Sequence, residues 1–160
     1  MKRSFCLALL VSALVVPGLT RAQAIAGSWH LADMKQIVTD KATGQKQDIS
    51  NSEEMKGMKK MIDYNCTLNV DHSLLWRGGF TGSKLMEIKG TYVLDGDRLS
   101  FDTDLAKKFG AAGNDNPLTG IPHYVTVSYS GGQMIWHFSA DLTDEGKTIH
   151  TDVDWIWHRQ

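Results

Sequence analysis

The rhythm of apolar and polar residues changes along this chain, and each change marks an element. From Phe5 to Val16 the side chains are almost continuously apolar, preceded by Lys2 and Arg3 and broken by Pro17 and Gly18. That run is too short to cross a bilayer as a helix. Basic residues, apolar stretch and the small-x-small pattern Ala22-Gln23-Ala24 follow in the order of a secretory signal peptide, so residues 1–24 are expected to be removed. No cysteine stands at that junction, which argues against a lipid anchor and for a periplasmic or secreted product.

Beyond Ile25 the pattern becomes short alternating runs separated by turn residues, which predicts half-buried strands. They are expected at Gly27 to about Val38, Cys66 to Val70, Leu74 to Phe80, Lys84 to Leu94, Arg98 to Phe101, His123 to Tyr129, Gln133 to Ala140 and Lys147 to His158. Asp95-Gly96 and Gly131-Gly132 are hairpin turns, because glycine accepts the positive φ that tight turns require. Gly78-Gly79 inside a strand predicts a bulge or sharp bend. Thr39 to Gln47 reads as loop.

One segment changes to helical spacing. Ser50 and Glu53 are spaced as a capping box, and Met55, Met58, Met61 and Ile62 then form one apolar stripe against Lys56, Lys59 and Lys60, predicting a helix over 50–62. Thr103 caps a second, shorter helix from Asp104 to Phe109 with Gly110 as its stop, and residues 111–122 form a long loop. About eight strands joined mostly as consecutive hairpins predict an all-β domain over 25–160: an eight-stranded antiparallel up-and-down barrel with one or two short helices.

The last hairpin is the clearest case of a two-faced sheet. With Phe138 opposite Ile149 and residues 141–146 as the turn, Met134, Trp136, Phe138 and Ala140 share a face with Ile149, Val153 and Trp155. Gln133, His137, Ser139, Thr148, His150, Asp152 and Asp154 take the other face. A slip of one residue would mix the two sets, so the apolar set must be inside. A small barrel can be filled by its own side chains or can hold one small ligand. Trp76, Met86, Tyr92, Met134, Trp136 and Trp155 are the residues expected to face the interior and line a ligand site, with Met55, Met58 and Ile62 as a lid and loop 111–122 as a second gate.

Charge and cysteine content narrow the partners. Removing residues 1–24 takes away Lys2, Arg3 and Arg21, moving the formal charge from −1 to −4. A mildly acidic surface argues against nucleic acid and anionic membrane, both of which need a basic footprint. No later segment has the apolar length of a transmembrane helix. Cys66 is then the one remaining cysteine, expected as a buried apolar residue, and the domain must be held by its core.

Candidate chemistry is sparse. His150, Asp152 and Asp154, with His137 across the hairpin, offer metal-ligand types, but alternate residues of a strand lie about 6.5–7 Å apart and on the solvent face, so no metal is expected. His158 or His150 could ligate haem, yet neither shares the apolar face, so no cofactor is expected either. Gly110-Ala111-Ala112-Gly113 and Gly131-Gly132 lack the lysine and helix of a phosphate cradle, and His123 has no nucleophile motif beside it. No catalytic residue emerges, and the protein is expected not to be an enzyme.

Three segments carry a family resemblance. Gly27-Ser28-Trp29 resembles the Gly-x-Trp opening of lipocalins and related calycin-type barrels. Gly90-Thr91-Tyr92-Val93-Leu94-Asp95-Gly96-Asp97-Arg98-Leu99 resembles the mid-domain hairpin of bacterial lipocalin-like domains, and Trp157-His158-Arg159 ends the chain as such barrels do. The Thr-Asp-Tyr signature and disulfides of classical lipocalins are absent, and the helix after the first strand is more similar to the lid of fatty-acid-binding proteins. The resemblance implies that Arg159 packs across Trp29 as a structural closure of one barrel end, and that the interior binds a small hydrophobic ligand. The alternative expectation is a packed barrel that acts as an envelope interaction module or enzyme inhibitor through an unspecified protein partner.

Overall fold

A computed structural model describes residues 24–103, 124–144 and 147–160. In chain order the elements are β1 (Gly27–Asp40), β2 (Lys46–Asp48), α1 (Glu53–Met61), β3 (Ile62–Leu68), β4 (Ser73–Phe80), β5 (Met86–Asp95), β6 (Arg98–Thr103), β7 (Tyr124–Ser130), β8 (Gln133–Asp144) and β9 (Lys147–Arg159). Each strand from β3 to β9 pairs antiparallel with the next, β1 pairs with β3, and β1 also pairs with β9. The sheet therefore closes into an eight-stranded antiparallel barrel, and β2 is a short flap that pairs with the far end of β1. The predicted signal peptide apart from Ala24, the second helix and loop 111–122 lie outside the described residues.

Closure depends on an irregularity in β1. Trp29 and Leu31 face inward, yet the next buried residue is Met34, three positions on, because the register with β9 slips between Leu31 and Asp33. A bulge inserts one unpaired residue and switches the parity of everything after it. Without it, Asp33 would turn into the core and Met34 outward. Strict alternation does not reveal this slip.

Other corrections are local. The helix is capped by Ser52, whose hydroxyl accepts from the Met55 amide at 3.1 Å, and not by Ser50. The Ser50 hydroxyl instead accepts from the Gln36 amide at 2.8 Å, tying the segment before α1 to β1. Ile62 opens β3, so it belongs to the wall and not to the helix. Residues 46–48 form β2 where a loop was expected, and Val70 lies in a turn, 76% exposed. In the last hairpin Phe138 faces Val153 and Leu142 faces Ile149, so the strands run past the expected turn. That slip is even-numbered, which leaves every residue on its predicted face.

Gly78-Gly79 is not a bulge, since the ladder runs unbroken through Tyr64–Gly78 and Asp63–Gly79. The requirement is steric. A Cβ on Gly78 would stand 2.3 Å from the Trp76 ring and 2.5 Å from the Tyr64 ring. The bare backbone leaves the slot in which these two aromatic side chains meet, their centroids 4.8 Å apart.

The interior is aromatic. Trp29, Trp76, Tyr92, Phe101, Trp136, Phe138, Trp155 and Trp157 are all buried. A fully buried indole contributes about 4–6 kcal/mol of apolar transfer before entropy is counted. This accounts for a barrel that holds together with one buried, unpaired cysteine and no disulfide among the described residues.

Two glycines should respond oppositely to alanine. Gly78→Ala forces Trp76 and Tyr64 apart and is expected to destabilise by about 1–3 kcal/mol in urea unfolding. Gly57→Ala, with nothing within 4 Å of its Cβ, is expected to stabilise by about 0.5–1 kcal/mol through helix propensity.

Candidate functional site: the cleft beneath the helix

One barrel end is shut by side chains. The Arg159 guanidinium carbon lies 4.7 Å from the Trp29 ring and 6.0 Å from the Tyr129 ring, and one of its nitrogens donates to the Ala24 carbonyl at 2.6 Å. Trp29 in turn donates its indole N–H to the Ile25 carbonyl at 2.8 Å. A cation over an aromatic face contributes about 0.5–2 kcal/mol.

The other end is crossed by α1. Its Met55 and Met58 face the barrel mouth over a cleft whose walls are Met34, Ile62, Tyr64, Val153 and Trp155, with Lys35 and Gln36 at the edge. The volume is about 50 Å³. A drug-sized ligand needs at least about 300 Å³. The cleft as it stands has room for a few water molecules at most, so a larger molecule requires α1 to move.

What holds α1 down is mostly polar. Lys59 pairs with Asp33 at 2.7 Å and donates to the Ser50 carbonyl at 2.9 Å. Burial pushes the Asp33 carboxyl upward, but the hydrogen bonds from Lys59 and the Met34 amide, with the Lys59 charge, outweigh it and hold the group below its usual range. Met55 is the one helix residue that is fully buried. A cover with few buried apolar contacts and partly exposed polar ties opens at lower cost than the wall beneath it.

The six residues expected to line a site separate into distinct positions. Trp155 is on the cleft wall. Trp76, Met134 and Trp136 lie deeper in the core, with Tyr92 among them; the Tyr92 hydroxyl donates to the Asn69 carbonyl at 2.6 Å. Met86 is a correction: it begins β5 at the rim and is 49% exposed, because the strand starts two residues later than the sequence pattern suggests. Of the lid residues, Met55 and Met58 come from the helix and Ile62 from the wall.

Sequence reasoning missed Met34, Tyr64 and the Lys59–Asp33 tie, and put Val153 on the inward face without naming it at the site. Met34 was hidden by the bulge, and Tyr64 lies before the expected start of its strand. Trp157, fully buried, was signalled by its alternation with Val153 and Trp155 but not placed at the site.

Three indole N–H groups, those of Trp76, Trp136 and Trp157, are buried without a hydrogen-bond partner among the described residues. Tyr64, on the cleft wall, has its phenol pushed up by burial and remains a neutral hydroxyl. Burial likewise raises the Cys66 thiol, leaving it an inert core residue.

Outside the barrel, polar residues pair in a row. His137 Nδ1 meets Asp154 at 2.7 Å, and His150 meets Asp141 at 2.7 Å through Nδ1 and Asp152 at 3.3 Å through Nε2. Lys41 also pairs with Asp141. Among the described residues no three His, Cys, Asp or Glu side chains converge as a metal set. His158 is exposed on the outer face, beside Gln133 at 3.2 Å, and does not reach the interior.

Comparison with known proteins returns little. No protein-family model and no curated protein matches the chain. Among solved structures, a de novo designed fluorescence-activating β-barrel is similar over 87% of this chain and 96% of that one, at 9% identity and a TM-score of 0.36. At that level the likeness bears on neither the site nor a ligand.

The outer ion-pair row generates a pH dependence. The hydrogen bond that His150 donates to the Asp141 carboxylate, with help from Asp152, raises His150 above its ordinary 6.5. Its contribution is fully present below that unfolded value and is lost as pH rises through the higher folded value. Wild type should therefore lose about 0.2–1 kcal/mol relative to His150→Gln between about pH 6 and pH 8, measured by urea unfolding at each pH. Parallel pH profiles for the two proteins would contradict this.

Proposed function

We propose that this protein is an exported, non-enzymatic carrier that holds a small hydrophobic molecule inside its barrel, admitted beneath α1. The observation that supports the reading best is the apolar cleft between Met55, Met58 and the Met34–Tyr64–Trp155 wall, covered by a helix tied down through Lys59. Thioether side chains adapt to ligands of varied shape, which suits a cover that must close on an irregular guest. The lipocalin-like identification belongs with this proposal, supported by the Gly27-Ser28-Trp29 opening and the Arg159 side chain over Trp29. Export to the periplasm or beyond rests on the order of residues 1–24, with that leader removed.

A second reading has one observation in its favour. Met61, Phe80 and Met86, at 53%, 62% and 49% exposure, lie around the same rim, and an apolar rim of this kind also suits a protein partner. In that case the barrel is a packed interaction module, in the envelope or as an inhibitor.

Titration with palmitate and with an anilinonaphthalene dye separates the two. The carrier is expected to show saturable tryptophan quenching, and native mass spectrometry of freshly purified protein is expected to show bound small molecule. Asp33→Asn, which removes the charge that holds Lys59, should speed both binding and release by up to about fivefold. A bare mass with no saturable quenching overturns the carrier reading and leaves the interaction module.

A further inference from the structure

We infer that the molecule held in the barrel carries a hydrogen-bond acceptor, a carbonyl or comparable oxygen, that engages the indole N–H groups of Trp76, Trp136 and Trp157. This deepens the carrier reading and rests on it. The three side chains come from β4, β8 and β9, and their exposures are 3%, 0% and 0%. None of their indole nitrogens has a partner among the described residues.

The barrel satisfies comparable donors elsewhere. Trp29 donates to the Ile25 carbonyl and Tyr92 to the Asn69 carbonyl, at 2.8 and 2.6 Å. Those bonds are made to backbone outside the strands. The three orphaned indoles are buried inside a wall whose strand backbones are paired with one another in the ladders. A guest that enters the barrel is one source of the acceptor these donors lack.

The orphans also lie next to the cleft. Trp76 packs on Tyr64 with centroids 4.8 Å apart, and Trp136 stacks on Trp155 at 6.4 Å. Tyr64 and Trp155 are both cleft walls, so each of these donors is one ring away from the space beneath α1. Trp157 packs on Trp136 at 4.6 Å. A hydrocarbon guest would leave these donors unpaired, whereas a guest with an oxygen pairs one or more of them. Sites that hold unpaired polar groups reject the analogue lacking the matching atom more strongly than size alone would.

The test uses 9-fluorenone and fluorene, one ring skeleton with and without the carbonyl oxygen, titrated into the purified protein. After correction for partition from water into hydrocarbon, fluorenone should bind about tenfold more tightly or better. In ¹H–¹⁵N spectra the indole protons of at least two of the three tryptophans should move downfield with fluorenone only. Trp136→Phe and Trp157→Phe should each lower the preference; the wild-type indole shifts serve as the independent readout if either variant unfolds. Equal corrected affinities with unmoved indole protons overturn the acceptor inference and leave the carrier reading standing. Binding of neither compound overturns the carrier reading and this inference with it.

Discussion

The pairing of β1 with β9 is what turns a curled sheet into a closed wall. It runs from Trp29 opposite Arg159 to Asp40 opposite Ile149, joining the first long strand to the last. A sheet left open there would present two unpaired edges and expose Trp155 and Trp157 to water. Because the seam joins segments more than a hundred residues apart in the chain, its formation carries a large loop-closure cost, met by burial of the indoles it encloses. The bulge between Leu31 and Asp33 is the adjustment that lets β1 serve both halves of its length, with Trp29 inward before it and Met34 inward after it.

With the wall fixed, its two ends behave differently. The end closed by Arg159 and Trp29 is sealed by aromatic contact and by hydrogen bonds to backbone carbonyls. The end crossed by α1 is held by one fully buried methionine and by the Lys59 tie to Asp33. Buried donors also differ: Trp29 and Tyr92 reach backbone carbonyls, whereas the indole N–H groups of Trp76, Trp136 and Trp157 find no partner among the described residues.

Much of this was legible in the residues, and the reasons for the exceptions are physical. Alternation along Gln133 to His158 assigns the faces correctly even though the predicted register of Phe138 was displaced, because an even slip preserves parity. The Met stripe after residue 52 identifies the helix and its apolar face. A bulge leaves no composition signal, so the inward turn of Met34 after it is not readable from alternation. Gly78-Gly79 signalled that something special was required, but a glycine that makes room for rings reads the same as one that bends a strand. Met86 shows a further limit, since period tells which side of a strand a residue takes but not whether that point lies in the core or at the rim.

The account stands on a rigid wall with a separately movable cover, and native-state hydrogen exchange measures that directly. Amides of α1 should exchange through a low-energy opening, nearly insensitive to denaturant, while those of β1 and β9 along the seam exchange only with global unfolding. Exchange of α1 amides at the same free energy and denaturant dependence as the seam would show that helix and wall open as one unit, and would contradict the account.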